Sequence, residues 1–497
     1  MGTRSKTPSF ITEVPLIVDS KQEAELLSRF QGGRQLYNAV LNEAMVRMEL
    51  ARNSELYKGA KKIPRGEKKK RNDAFNEVRK HYRYSEYDLQ AYATTVANKS
   101  KWIAQKVDSN TQQKLASRAF KASERVLFGQ AKKVRYKVPS RFRSMEGKSN
   151  KTGIRWKDNC LVWGNLKLRA MIDPSNPVIQ HGLASPIKYA RVLWRDLNGK
   201  RRWYCQLVNE GMPYQKPQNY VFDGLIGLDL NISNIAYVGD DHADLLPFAE
   251  GVPTFLYEIA ALQRQMQRSQ RVNNPDNFEP DFEARKGRKI VVNKGKVKKN
   301  SRKWNKSNNY KRLATKKREL QRRKAAYAKN QNRRIVNEIL RHGKHIKTEN
   351  VSVKGWQKRY GKAIAAKSPG FVQSELKRKA EIAGGSFTKF STQKTALSQT
   401  HLNGERIKKP LSQRVHVDKL TGDAMQRDFF SGFLARFVNQ DELSCKDAAR
   451  QYPRSKSILF GAWRRQRINC EKSRQARNPV PDSRQSSSQR RRKRLAR

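Results

Sequence analysis

The stretch "LIGLDLNISNIAYVG" (residues 225–239) decides the fold. Leu225, Ile226, Leu228 and Leu230 form a short apolar run of the kind that makes a buried strand, and Asp229 stands inside it. An unpaired carboxylate there is expensive. A neighbouring Arg or Lys can offset the cost, or a metal ion can, and a metal ion needs more carboxylates from elsewhere in the chain. Downstream, "KHIKTENVSVKGW" (344–356) carries Ile346, Val351 and Val353 and reads as a short strand with Glu349 in or beside it. "DAMQRDFFSGFLARFV" (423–438) sets Met425, Phe429, Phe433 and Phe437 at helical spacing, which puts Asp428 near a helix start. A strand aspartate, an acid on a second strand and an aspartate at a helix start are the oxygen donors that two Mg²⁺ ions need for phosphodiester hydrolysis. Spacing alone does not select Glu349 and Asp428 from 44 acidic residues.

Composition narrows the partners. The chain has 497 residues, room for two to four domains, and 106 Lys and Arg against 44 Asp and Glu, a net charge of +62. That excess marks a polyanion binder, because each neutralised phosphate releases counterions. A membrane surface is the other polyanion to weigh. No run of 18 apolar residues occurs, and "MGTRSKTPSF" lacks a signal-peptide core, so the expectation is a soluble intracellular protein, cytoplasmic or nucleoid-associated, with no membrane partner. Cys160, Cys205, Cys445 and Cys470 lie too far apart for a local CxxC metal site and read as reduced thiols.

Working outward from the central stretch, the texture changes several times. "SFITEVPLIVDS" (9–20) reads as an opening strand, with a capping-box spacing from Ser20 to Glu23 ahead of an amphipathic helix from Leu26 to Met48, bent near Gly32-Gly33. "YKGAKKIPRGEKKKRND" (57–73) reads as a basic loop, followed by more helix from about 74 to 130. After Pro139 two strand–turn–strand units follow, the second turning at Asn198-Gly199, the strongest hairpin signal in the chain. Beyond the central strand, helix is expected from Phe255 to Arg271, then a polar loop, then helix from about Asn309 to Leu340, so dense in Lys and Arg that it reads as tracking phosphates. "FVQSELKRKAEIAGG" (371–385) is helix-like, and the final thirty residues read as a disordered basic tail.

A resemblance draws these pieces together. "GLDLNISNIAYV" resembles the first RuvC motif of the TnpB family, transposon-encoded RNA-guided nucleases related to compact type V CRISPR effectors, with Gly227, Asp229 and Asn234 on its pattern. The basic helix leading into "HIKTENVSVKG" is similar to the family's approach to its second motif, with Glu349, and "QRDFFSGFLARF" resembles the third, with Asp428. "RQLYNAVLNEA" and "GKRRWYCQL" match the opening helix and a strand of the wedge domain, so the likeness spans roughly residues 10 to 440. It implies an α+β multidomain, bilobed fold: a β-barrel wedge domain (1–20 and 131–218) with an inserted helical recognition domain (21–130). A RuvC domain of RNase H-like α/β fold would follow (219–395, with its third motif and helix at 423–465), then a basic tail (466–497). It further implies guide RNA, from a transposon end or a CRISPR array, and double-stranded target DNA with an adjacent motif as partners. Two Mg²⁺ ions on Asp229, Glu349 and Asp428 would cut that DNA. Arg34, Lys311, Lys317, Arg322 and Arg323 are expected phosphate contacts as a group. Trp102, Trp156, Trp304 and Trp356 could stack on bases, but none is assigned individually.

The chain departs from the family at 396–422, where relatives carry a zinc ribbon of two cysteine pairs. Gly404 and Gly422 keep the skeleton, while Asn403, Asp418 and Thr421 stand near the ligand positions; His401 and His416 alone make a weak site, and no structural zinc is expected. Phe430 takes the place where many relatives have Asn. Two other readings compete: an RNA-guided binder with weak or no cleavage, serving as a repressor or targeting factor, and a guide-independent nucleic-acid binder.

Overall fold

A computed structural model describes residues 8–301, 303–410 and 412–477, without the side chains of 470 and 472–477. The chain divides into two compact units, 1–214 and 215–497.

In the first unit, β1 (Ser9–Pro15) is followed by six helices: α1 (Ser20–Asn53), α2 (Glu55–Lys62), α3 (Lys68–His81), α4 (Glu86–Lys99), α5 (Trp102–Lys106) and α6 (Ser109–Leu127). Strands β2 (Ser144–Glu146), β3 (Ile154–Lys157), β4 (Cys160–Trp163) and β5 (Leu166–Arg169), helix α7 (Pro177–Ala184) and the long hairpin β6 (Ile187–Leu197) and β7 (Lys200–Glu210) complete it. β1 pairs antiparallel with β7, Ser9 opposite Glu210, so the helices are an insertion into a sheet of order β1-β7-β6-β2. Leu26, Leu36, Leu41 and Met48 of α1 are buried in a core shared with Leu115 and Phe120 of α6 and Trp203 of β7. The hairpin turns at Asn198-Gly199, both at positive φ, as a two-residue turn between twisted strands requires.

Several expectations change here. The barrel does not close: among the described residues the strands form separate four- and three-stranded sheets, the latter β3-β4-β5. The first cap is Asp19, not Ser20; its side chain accepts from Gln22 N at 2.8 Å and Gln22 answers at 3.2 Å. α1 runs unbroken through Gly32-Gly33, and the basic loop is largely α2 and α3, because Lys, Glu and Ala are good helix formers even when little of them is buried.

The second unit begins with β8 (Leu225–Leu230), β9 (Asn234–Val238) and β10 (Ala243–Pro247), then α8 (Val252–Val272), the hairpin β11 (Phe282–Lys286) and β12 (Lys289–Asn293), and α9 (Asn308–His342). Next come β13 (His345–Glu349), α10 (Val353–Lys367), α11 (Pro369–Ile382), β14 (Ser386–Phe390) and α12 (Thr392–Thr395). Strands β15 (Val415–Val417) and β16 (Ala424–Gln426), α13 (Arg427–Ala435), β17 (Val438–Asn439), β18 (Glu442–Leu443) and α14 (Cys445–Arg477) end it. The central sheet has the order β10-β9-β8-β13-β14: β8, β9 and β10 form an antiparallel meander, and β13 and β14 run parallel to β8. Ile226, Leu228 and Leu230 pack on one face with Val336 and Ile339 of α9 and Leu376 of α11. On the other face Ala236 and Val238 meet Phe429 and Phe433 of α13 and Leu459 of α14. The loop expected after α8 contains the β11–β12 hairpin, and the tail expected from 466 is helical to Arg477; the rest of that tail lies outside the described residues.

Candidate functional site

Alternation along β8 decides where Asp229 points. With Ile226, Leu228 and Leu230 on the α9 side, Gly227 and Asp229 face α13. β13 lies beside β8 in parallel, Thr348 opposite Leu228, so the next residue, Glu349, falls level with Asp229 on the same face. α13 crosses that face at close range because Gly227 permits it: a Cβ there would run into the Gly432 carbonyl and lie 2.9 Å from Arg436 Cγ. Lys347 Nζ ties down the far end of the helix by donating to the Arg436 carbonyl at 3.0 Å and to Asn439 Oδ1 at 2.8 Å. The first turn of α13 then carries Asp428, 3% exposed, to the two strand acids.

Asp229 feels both of the other acids. Burial pushes Asp229 well above the usual carboxylate range; Asp428 and then Glu349 push it further, against Arg427 and Arg414. Burial raises Glu349 to about 7, against a hydrogen bond from the Leu397 backbone. Asp428 is held by Gln426, whose Nε2 donates to Oδ2 at 2.9 Å while its Oε1 caps α13 by accepting from Phe429 N at 2.9 Å. Arg414 and Arg427 each lie 3.9 Å from Asp428 Oδ1. Like charges gathered in a desolvated place, with oxygen donors only, are the chemistry of a hard divalent cation site, and these residues fit one.

Asp428 opens onto a cleft of about 780 Å³. Trp356 and Tyr360 of α10 and Trp463 of α14 supply aromatic surface; Arg414, Arg427 and Arg467 supply positive charge. Three polar atoms on the cleft-lining residues, Asn231 Nδ2, Asn234 Oδ1 and Gln466 Oε1, are buried without a hydrogen-bond partner. Such a surface suits a phosphodiester strand: cations for the backbone, rings for bases and unsatisfied amides for polar edges. A second cavity, about 390 Å³ among Met48, Tyr57, Phe75 and Phe128, has neither acid nor histidine on its walls.

Of the residues expected from sequence, Asp229, Glu349 and Asp428 are brought together. Of the expected phosphate contacts, Arg34 lies on α1 in the first unit, and Lys311, Lys317, Arg322 and Arg323 lie along α9 in the second. Arg322 is also engaged by Glu319 at 2.6 Å and 2.9 Å. Trp356 lines the cleft, Trp102 and Trp156 pack against the first core, and Trp304 stands edge-on to Phe278. Arg414, Trp463 and Gln466 escape a sequence reading, because only the fold brings them to the cleft beside Asp428.

The 397–422 segment holds another cluster. Ligand atoms of His401, His416 and Asp418 all lie within 4.8 Å of one another. Lys409 Nζ is 2.6 Å from His416 Nδ1 and 3.2 Å from His401 Nε2, and His401 Nδ1 accepts from Lys419 N at 3.0 Å. Burial, then Lys409 and His401, pushes His416 down to about 3, so its ring is neutral and accepts from the ammonium. Asp418 accepts from Leu402 N at 2.9 Å and from Leu420 N and Thr421 N at 3.0 Å; these bonds outweigh burial and hold it below the usual carboxylate range. An ammonium thus lies against both rings, and a metal ion on these three residues would have to displace it.

No family model matches the chain, and no curated protein does. Among solved structures it is similar to a Cas12f1–sgRNA–target DNA complex, with 10% identity and a TM-score of 0.42 over 88% of this chain and 100% of that one. It is also similar to a CRISPR-Cas12f ternary complex, with 9% identity and a TM-score of 0.30 over 85% and 83%. Likenesses at these TM-scores are weak. Among the described residues no helix is long and apolar enough to cross a membrane.

Proposed function

We propose that this chain is an RNA-guided DNA endonuclease that hydrolyses phosphodiester bonds at one RuvC-type site. The observation that carries the reading is the meeting of Asp229, Glu349 and Asp428, acids some 120 and 80 residues apart, on one face of a sheet of order β10-β9-β8-β13-β14, an order that supports reading the domain as RNase H-like. Guide RNA and duplex target DNA as partners rest on the net charge of +62 and on the motif resemblance. Divalent ions, Mg²⁺ by the hardness of the donors, would be held by the three acids and supply charge neutralisation and an activated water. The chain's own part is positioning. Gln426 fixes the Asp428 carboxylate, Arg414 and Arg427 stand where a scissile phosphate would be neutralised, and the aromatic wall excludes water from the strand.

The decisive experiment expresses the protein with its native flanking DNA, sequences the RNA that co-purifies, and incubates the complex with Mg²⁺ and a plasmid library of randomised flanks beside a matching target. Guide-dependent depletion of particular flanks establishes the nuclease and its adjacent motif. Guide-dependent binding without cleavage moves the assignment to a repressor or targeting factor. A heterogeneous smear of RNA sinks both guided readings.

The raised carboxyl groups set a pH dependence. The folded Glu349 holds its proton to about 7, whereas the unfolded chain releases it near 4.5. The folded state therefore binds more protons between those values, and metal-free stability falls as pH rises through that window, by on the order of 3 kcal/mol for this group. Mg²⁺ competes with the proton, so the rise in Tm on adding Mg²⁺ is expected to grow from pH 6 to pH 8 and to shrink in Glu349→Gln. A Mg²⁺ effect independent of pH would contradict this assignment.

The 397–422 segment is read as holding its shape without structural zinc, through Asp418 and Lys409. Elemental analysis is expected to find no stoichiometric zinc and chelators no change in Tm. Asp418→Ala is expected to cost about 3 kcal/mol, because the N–H groups of Leu402, Leu420 and Thr421 lose their acceptor. One zinc per chain would overturn the reading.

A further inference from the structure

The β11–β12 hairpin takes no part in the acidic site. It is a two-stranded ribbon belonging to no larger sheet, with Phe282 opposite Asn293 and Lys286 opposite Lys289. An isolated hairpin with both faces in water is marginal by itself, and this one exposes apolar residues on both: Ile290 (71%) and Val292 (57%) on one face, Phe282 (50%) on the other. Its base, by contrast, is fixed. Asp281 accepts from Gly295 N at 2.8 Å and from Lys294 Nζ at 2.6 Å, and Arg271 at the end of α8 donates to the Gly295 carbonyl at 2.7 Å. Arg271 also lies 4.3 Å over the Phe278 ring, and the chain beyond the ribbon is sewn back by Lys298 N to the Asn277 carbonyl at 2.9 Å. A firmly seated base and a bare ribbon describe an arm built to enter something.

Charge identifies what it enters. Between Phe282 and Lys299 the chain has eight Lys and Arg against one acid, Glu283 opposite Val292, and four of the eight, Arg285, Lys286, Arg288 and Lys289, crowd the turn around Gly287. The partner is therefore a polyanion, and the ribbon's cross-section narrows the choice. The major groove of B-form DNA is about 12 Å wide and admits a two-stranded ribbon, whereas the deep, narrow major groove of A-form RNA does not. The exposed aliphatic side chains suit the groove floor, where thymine methyl groups offer apolar contact, and the turn cations suit the phosphates at its rim. We infer that the β11–β12 ribbon is a duplex-DNA arm that inserts into the major groove, separate from the cleft that receives the strand to be cut. The inference rests on the reading of DNA as a partner.

The test compares the full-length, RNA-loaded protein with a Lys286→Glu, Arg288→Glu, Lys289→Glu variant and with Ile290→Ser, Val292→Ser. Binding to a duplex DNA, a duplex RNA and a single-stranded DNA is measured in EDTA across a salt series, so that cleavage does not intervene. The charge variant is expected to bind duplex DNA about tenfold or more weakly, with a log–log salt slope shallower by about one for each cation removed. The aliphatic variant, whose changes are exposed and leave the cores intact, is expected to weaken duplex DNA binding with the slope unchanged. Both are expected to bind duplex RNA and single-stranded DNA as the parent does. Unchanged duplex DNA binding while the parent binds tightly overturns the arm and leaves the nuclease reading standing. Equal losses on all three probes overturn groove insertion in favour of general electrostatics, and a parent that binds no duplex DNA overturns both readings.

Discussion

Asp229→Ala protein, loaded with its RNA, is expected to bind target DNA with undiminished affinity and to cut it at least ~10³-fold more slowly, a loss of about 4 kcal/mol of transition-state stabilisation. The expectation follows from where the residue stands. Asp229 is a strand residue whose neighbours Leu228 and Leu230 are buried in the core, and its carboxylate is raised by burial and by two other acids. Nothing in packing needs a charge there, so removing it is expected to raise the Tm of the metal-free protein by relieving repulsion among the three acids. Glu349→Gln is expected to behave in the same direction, since its carboxyl is also raised by burial. Lost cleavage together with gained metal-free stability separates a functional acid from a structural one, which would show loss of both. Cleavage at the parent rate by Asp229→Ala would remove this site from the reaction.

What could be read from the sequence was what local pattern encodes. The apolar run around Asp229, the Phe spacing of α13 and the Asn198-Gly199 turn each carry their structure within a few residues, so β8, α13 and the β6–β7 hairpin were legible. The two strand acids and Asp428 could be named because their motifs resemble a family, not because spacing selected them. Three kinds of feature were hidden. Sheet closure depends on pairing between distant strands, so an expected barrel is an open β1-β7-β6-β2 sheet. The Ile290–Val292 run is short and surrounded by Lys and Arg, which made a ribbon look like a loop. The last turns of α14 are rich in Arg and Gln and read as tail, although Gln466 and Arg467 of that helix line the cleft. In each case the missing information is tertiary: which segment supplies the other half of a sheet, or which wall a polar helix covers.

The second large effect is expected at a residue that carries no charge itself, Gly227. The approach of α13 to β8 is set by two glycines facing each other, and they are not equivalent. A Cβ on Gly227 meets backbone, the Gly432 carbonyl and Arg436 N at 3.0 Å, neither of which can turn aside. A Cβ on Gly432 meets Val238 Cγ2 at 3.2 Å and the Gly227 carbonyl at 3.5 Å, contacts that a few tenths of an ångström relieve. Gly227→Ala is therefore expected to cost about 3 kcal/mol of stability as the helix is forced off the sheet, and Gly432→Ala about 1 kcal/mol or less. The catalytic consequence is steeper than the thermodynamic one. Asp428 rides on the first turn of that helix, and a displacement of about 1 Å at a reacting centre costs on the order of 10²-fold in rate. Gly227→Ala, assayed below its own melting transition so that it is folded, is expected to cut about 10²-fold more slowly with DNA binding retained, while Gly432→Ala stays near the parent rate. Parent-rate cleavage by Gly227→Ala would mean that α13 does not set the position of Asp428. Equal effects from the two substitutions would mean that the backbone contact at Gly432 is softer than its geometry implies.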